Sequence, residues 1–400
     1  MIWAKKENDW LVPVKNWARD LEDGAEKQAS NLAKLPCVFH HVALMPDAHS
    51  GCGMCIGGVL ALRNAVCPSA CGVDGGCGVC AIKTNLHKED FEDMRLRRQF
   101  HTNLKELIPV GESHANREVQ EWEGFEEYLD SHGDRTNLWP LEIDRKNLKS
   151  CGGGNHYLEA DYDDEGFVWL QLHSGSRNLG HRICSHYTKI AQTLCERWFI
   201  KLPDNDLAFL STEEQEGQHY IEDLNFALSY AKENRRRMML SMQEALVATV
   251  GEVEFCEAID VHHNFTAIEN HFGENVWVHR KGATRAREGE TCIIPGSMGT
   301  HTFICLGLGN PESFMSCSHG AGRKMSRSAA SERLTVEECD KAMEGIVCDR
   351  WGKMHRGKCK GKLDLSEAPG AYKDIDEVIA NEADLVKPIV KLSPLAVLKG

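Results

Sequence analysis

Three observations on this sequence predict an α+β fold, with a central β-sheet core flanked by helices. Apolar runs of strand length are interleaved with amphipathic stretches of helical period. The last third is rich in strand patterns, and chemistry-bearing residues are scattered from Asp74 to His319 with no linker between them. The scatter decides the domain organisation. At 400 residues, a prior of ~150 residues per domain would give two or three units. Yet no Pro/Ser-rich spacer, low-complexity tract or repeat interrupts the chain, so residues 1–400 are expected to form one intertwined domain.

Composition bounds the function. Met1-Ile2-Trp3-Ala4-Lys5-Lys6 has no apolar signal region, and nowhere do the ~18 apolar residues of a spanning helix occur. A soluble, unexported, cytoplasmic protein is therefore expected. In that setting the 17 cysteines read as reduced thiols, a few of them binding metal, and not as a disulfide framework. A net charge of −14 argues against a protein that coats nucleic acid non-specifically, because phosphate binding needs local positive potential. A basic groove on an acidic body remains compatible, with Arg177, Arg182, Arg235, Arg236, Arg237, Arg323, Lys324 and Arg327 as candidates. For Arg235 to Arg237 a solvated helix face after Glu233 is an equal reading.

In chain order, residues 20–35 place Leu21, Ala25, Leu32 and Leu35 at helical spacing among charges. His41 to Met45 is a buried strand leading into Pro46-Asp47-Ala48-His49-Ser50-Gly51, and Ile56 to Leu62 is the next strand. Residues 89–108 form an amphipathic helix through Phe91, Met94, Phe100, Leu104 and Leu107, followed by a polar, irregular region to about residue 148. Phe167 to Leu172 is a strand, a helix begins near Leu179 with Ile183, Ile190, Leu194 and Trp198 on one face, and residues 216–247 make a long helix. Asn275 to His279, Thr291 to Ile294 and Thr302 to Leu306 complete the strand pattern.

The chemistry centres on Gly72-Val73-Asp74-Gly75-Gly76-Cys77-Gly78-Val79, where a carboxylate and a thiol stand three residues apart among glycines. Thiolate, carboxylate and imidazole together suit a first-row divalent ion. The complementary histidines are His156, after Cys151-Gly152-Gly153-Gly154-Asn155; His173, closing a strand before Ser174-Gly175-Ser176-Arg177; and His263, in Asp260-Val261-His262-His263-Asn264. If the last segment is extended, only one of its two histidines points inward. Any one of these histidines alone is more often a core residue than a ligand; four ligand-type segments flanked by glycine or polar groups favour a metal. The rival is a zinc ribbon built on Cys52, Cys55, Cys77 and Cys80, but the intervening loop is apolar and contains Asp74.

Asn155 and Glu159 are placed to face a nucleotide, and Pro295-Gly296-Ser297-Met298-Gly299-Thr300 is a glycine loop of the kind that offers amides to phosphate. In Ser316-Cys317-Ser318-His319-Gly320-Ala321-Gly322-Arg323-Lys324-Met325-Ser326-Arg327, an open histidine precedes phosphate-neutralising arginines, the arrangement of a nucleophile toward a nucleoside triphosphate. A structural histidine at a helix start is the plainer alternative.

Met45-Pro46-Asp47-Ala48-His49, Gly72 to Gly78, Gly153-Gly154-Asn155-His156, His173 to Arg177, His263-Asn264, Pro295 to Gly299, Ser318 to Arg323 and the terminal Lys399-Gly400 together resemble the RtcB-type RNA ligases. The resemblance runs the whole chain in order. It implies one RtcB-like catalytic domain and a GTP- and manganese-dependent ligase that joins a 2′,3′-cyclic phosphate or 3′-phosphate RNA end to a 5′-hydroxyl end. It maps a guanylylated nucleophile to His319 with Asp47 beside it. A two-ion manganese site maps to Asp74, Cys77, His156, His173 and His263, with Cys77 able to bridge. Asn155, Glu159, Asn264, Ser297, Tyr372 and Lys399 fall at the nucleotide, and Arg177, Arg323 and Arg327 at RNA phosphates. An archease-type activator belongs to the same set of implied partners. The competing expectation is a non-ligating metal protein that binds or hydrolyses nucleotides or RNA ends.

Overall fold

The computed structural model describes residues 1–111, 114–132, 139, 141–354 and 360–400. Its frame is two sheets. A six-stranded sheet runs in the order Trp3–Lys5, Val14–Asn16, Val38–His49, Ile56–Leu62, Glu274–Lys281, Asn264–His271. A seven-stranded antiparallel sheet runs Ile259–His262, Gly78–His87, Phe167–Ser174, Tyr157–Asp163, Val386–Lys399, Thr302–Gly307, Thr291–Pro295.

Strand periodicity explains the layers. In the six-stranded sheet Val42, Leu44, Leu60 and Leu62 face the helices Asp23–Leu32 and Leu179–Arg197, while their neighbours Ala43, Met45, Val59 and Ala61 pack on Ile294, Phe303 and Cys305 of the other sheet. The outer face of the seven-stranded sheet, through Ile82, Leu158, Leu170, Leu172 and Leu398, is covered by the helices Met94–Leu107 and Gln215–Val250. Alternate residues point to opposite faces, so each strand serves two cores. The result is the expected α+β fold with its sheet core between helices. No helix among the described residues is long and apolar enough to cross a membrane.

Most elements fall where the pattern put them, including Ile56–Leu62 and the helix starting at Leu179. Two differ. The stretch expected to be irregular up to residue 148 holds the helices Glu123–His132 and Leu141–Asn147, with residues 133–138 and 140 outside the described ones. The carboxyl-terminal run is a strand, Val386–Lys399, in the interior of the larger sheet. Proline cannot donate to a ladder, and the register shifts between Ile304 and Cys305, where Pro388 pairs, and again between Pro394 and Ala396.

Candidate metal and nucleotide site

Sheet register gathers the chemistry at one end. Val79 and Tyr157 both pair with His173, Gly78 pairs with His262, and the His263 N–H donates to the Cys77 carbonyl over 2.9 Å. Ala283 pairs with Ser318 and its N–H donates to the His263 carbonyl, which sets His319 beside the cluster.

The cluster is a run of close contacts between acceptor-type atoms. Cys77 Sγ lies 3.3 Å from His156 Nε2 and 3.2 Å from His173 Nε2; His173 Nε2 is 3.3 Å from His263 Nε2, and His156 Nε2 is 3.3 Å from Asp74 Oδ2. Of these, the ligand atoms of Cys77, His156 and His173 all fall within 4.8 Å of one another, and the three residues are buried. His173 is the one whose second nitrogen is partnered, by the Asn155 carbonyl at 3.2 Å, which leaves its Nε2 free of hydrogen. Nδ1 of both His156 and His263 is buried without a partner.

Electrostatics agree. Burial, then the neighbouring Asp74 charge, pushes the Cys77 thiol well above its ordinary value. Burial, then His156, pushes His173 well below its own, and burial with His319 and His173 does the same to His263. Asp74 keeps 29% exposure, and although burial raises its carboxyl, His156 and Ser176 hold it down to about 2. Soft and borderline donors crowded together with too few hydrogens fit a cation, which would strip the proton from the thiol. The four-thiolate alternative is absent: among the described residues the one metal-capable group is Cys77, His156 and His173.

Several expected donors have other work. The Ser176 N–H and hydroxyl, read as anion donors at a helix start, bind Asp74 Oδ1 at 3.2 and 3.1 Å, so the anion is the protein's own carboxylate. Glycines around Asp74 pack the loop beneath the long helix: a Cβ at Gly76, φ +84°, would press on Ala231. In the Pro295 to Thr300 loop, the Gly296, Ser297 and Thr300 amides are spent on His301, Thr300 and Ser297.

Of the arginines, Arg235 is fully buried, donating to Asp260, Gly76 and Ser174 and fixing the ring of His262 away from the cluster. Arg236 and Arg237 pair with Glu233, and Arg182 with Asp144.

His319 stands with its ring centroid 4.9 Å from that of His263. Asp47, fully buried, receives both its Nδ1 at 2.6 Å and its main-chain N–H at 3.1 Å on one oxygen, Oδ2. That turns Nε2 toward the cavity. Gly322, φ +70°, is required here, because any Cβ would strike the Asp47 carbonyl.

The cavity, of about 390 Å³, is lined by His173, His319, Asn155, Glu159, Ser297, Tyr372, Lys399, Arg323 and Arg327, among others. Asn264 and Arg177 lie outside it. The Asn264 amide clamps the Asp74 carbonyl and the Gly282 N–H at 3.1 and 2.8 Å, and Arg177 binds Ser150 Oγ at 3.0 Å.

Sequence reading missed Glu367, around which the cations are arranged. It accepts from Arg323 at 3.3 Å, Arg327 at 3.1 Å and the Tyr372 hydroxyl, with Lys399 3.6 Å away. Burial opposes its ionisation, but Lys399, Arg327 and Arg323 hold it down to about 2. It also missed Asp161, which shares Gln171 with Glu159; burial, and for Glu159 the Asp161 charge, pushes both carboxyls up. Neither acid lies in a motif, and only the demand of three clustered cations for a counter-charge pointed to one.

The fold and site define an α+β protein with a buried Cys–His cluster suited to a cation and a carboxylate-anchored histidine on the wall of one cavity lined in part by cationic side chains. Comparison narrows this. The family profile described as tRNA-splicing ligase RtcB matches residues 28–400. The RNA-splicing ligase RtcB of Escherichia coli (strain K12) is 37% identical over 97% of this chain and 98% of its own. The tRNA-splicing ligases RtcB of Archaeoglobus fulgidus and Methanococcus maripaludis are 32% and 31% identical, each over 95% of this chain and 92% of their own. The chain belongs to the RtcB family.

Proposed function

We propose that the protein is a GTP- and manganese-dependent RNA ligase. Residues 1–400 would act as one catalytic unit, joining a 2′,3′-cyclic phosphate or 3′-phosphate end to a 5′-hydroxyl end through guanylylated His319. The observation that carries this reading is the placement of His319: clamped by Asp47, against His263, on the wall of the cavity. A carboxylate clamp on Nδ1 that leaves Nε2 on the cavity wall is the arrangement a nucleophile needs, and it sets His319 apart from the buried His271–Glu269 pair.

Asp47 takes the Nδ1–H, leaving the Nε2 lone pair to attack the α-phosphorus of GTP as the bond to pyrophosphate breaks. Asp74, Cys77, His156, His173 and His263 would hold two divalent ions. When bound, the ions supply charge neutralisation at the phosphates. Such donors favour zinc over manganese on affinity, so manganese rests on the family. Glu159 would accept the two donors on the guanine edge, which adenine lacks, and that contact favours its ionised form over the neutral one burial promotes. Asn155, Ser297, Tyr372 and Lys399 would complete the nucleotide site, with Asn264 acting from behind through the Asp74 loop. Arg323 and Arg327 would meet phosphate in the cavity, and Arg177 would meet RNA outside it. The RNA 3′-phosphate then takes GMP from His319, and the 5′-hydroxyl displaces GMP.

Incubation with radiolabelled GTP and manganese followed by denaturing electrophoresis tests this. Label on the protein that passes to the 3′-phosphate end of added RNA, and is released as GMP when the ends join, is the expected result. Absence of label while metal and nucleotide still bind would turn the reading to a non-ligating RNA-end binding or hydrolytic protein.

A further inference from the structure

One imidazole on the cavity wall has no part in these steps. His49 ends the Val38–His49 strand opposite Ile56 and lines the same cavity as His319. Its Nδ1 lies 2.8 Å from the Asp47 carbonyl oxygen. A carbonyl only accepts, so Nδ1 carries the hydrogen and Nε2 the lone pair. Nε2 is not among the sealed, unpartnered nitrogens, and no protein group among the described residues occupies it. The groups facing the ring are Asp47, His319 and Lys373, with Glu22 at the start of the helix Asp23–Leu32. Burial, the largest influence, lowers its pKa and keeps the ring neutral. The backbone bond that fixes its tautomer belongs to the same residue that fixes the tautomer of His319, so both rings are set by Asp47.

Joining has one step with an unmet demand for such a base. His319 attacks with a lone pair it already holds, and the RNA 3′-phosphate is anionic when it takes GMP. The 5′-hydroxyl must lose a proton as it becomes a phosphodiester oxygen, and no group assigned above receives it. We propose that His49 is the general base of the sealing step. A lone pair of the 5′-oxygen forms the bond to the RNA 3′-phosphorus, the hydroxyl proton passes to His49 Nε2, and the bond from that phosphorus to the GMP oxygen breaks with its electrons leaving on GMP. This rests on the ligase reading above.

The test separates the steps. Wild type with GTP, manganese and a 3′-phosphate RNA, given no 5′-hydroxyl partner, supplies RNA with an activated 3′ end. Sealing of that RNA is then followed in single turnover with wild type, His49→Ala and His49→Asn. The Asn amide can still donate to the Asp47 carbonyl while lacking a base. In both variants sealing should fall about 100-fold or more, the scale of a lost general base, and at least about ten times further than labelling of His319 by GTP. Added imidazole should restore part of the sealing in His49→Ala. Sealing within about threefold of wild type overturns the proposal. So does an equal loss of both steps in His49→Asn at wild-type metal content and thermal midpoint, which would make His49 structural. Wild type that takes label but never seals fails the ligase reading instead.

Discussion

Two polar clusters flank the cavity, and they are balanced in opposite ways. Around Cys77, ligand atoms with few hydrogens crowd to 3.2–3.3 Å and two imidazole nitrogens stay unpartnered. Around Glu367, one carboxylate meets two guanidinium groups, a hydroxyl and an ammonium, and is itself held ionised. Burying a polar group without a partner costs on the order of 1–3 kcal/mol. The crowded Sγ and Nε2 lone pairs of the first cluster suit a cation that the protein does not itself supply, whereas Glu367 finds its counter-charges within the protein. The same electrostatics, read in two directions, separate a cluster that calls for a cation from one that holds its own charges in place on the cavity wall.

The comparison breaks most sharply at the cluster itself. Cys77→Ala should remove both bound metal and His319 labelling, because water cannot replace a thiolate at equal charge. Elemental analysis finding unchanged metal would disprove the assignment. His319→Ala should abolish labelling and leave metal content close to wild type, since that ring stands next to the cluster and binds Asp47 instead; surviving label would mean another nucleophile.

At the balanced cluster the expected effects are smaller and differ in kind. Deleting Lys399 and Gly400 removes one cation from Glu367 and the group 3.2 Å from the Asn155 carbonyl, while the strand holding Leu395, Val397 and Leu398 in the core stays. Labelling by GTP and preference for GTP over ATP should fall strongly, with folding and metal retained. Full-rate, GTP-selective labelling by the truncated chain would return the terminus to a structural role.

Glu367 should make itself felt in stability. Its carboxyl drops from the ordinary 4.5 to about 2, which corresponds to on the order of 3 kcal/mol. A depressed folded-state pKa stabilises fully above the ordinary value and is lost as pH falls from there through about 2. Denaturant midpoints of wild type should therefore decline below about pH 5, and Glu367→Gln should show less of that decline. Parallel curves would show that the cluster contributes nothing net.

The mildest changes come from outside the cavity. Arg177→Ala should weaken RNA joining about tenfold, the worth of a lost charged hydrogen bond, with little change in labelling. Arg323→Ala, on the cavity wall, should lower both. Identical profiles would erase the distinction drawn from their positions.

Much of the fold was legible because its signals are local. Ile56–Leu62 is an unbroken apolar run, and the helix from Leu179 follows a strand and a small polar turn. Val386–Lys399 was not legible as a strand, because Pro388 and Pro394 speak against one and only the bulges in its partners' registers admit them. Even in the helix from Leu179 the buried stripe runs through Ile183, Tyr187, Ala191 and Cys195, leaving Trp198 at 41% exposure.

For the site, the residue types and order of Asp74, Cys77, His156, His173, His263 and His319 were present in the sequence alone, since donor chemistry and flanking glycine travel with the motif. That Ser176 would serve Asp74, that Arg235 would be buried, that Asn264 would sit behind the loop, and that Glu367 would gather Arg323, Arg327 and Lys399 were decided only in three dimensions. A motif states which groups can donate or accept. Which partner satisfies each of them depends on strands and loops far apart in sequence meeting at one end of a sheet, and no local pattern encodes that meeting.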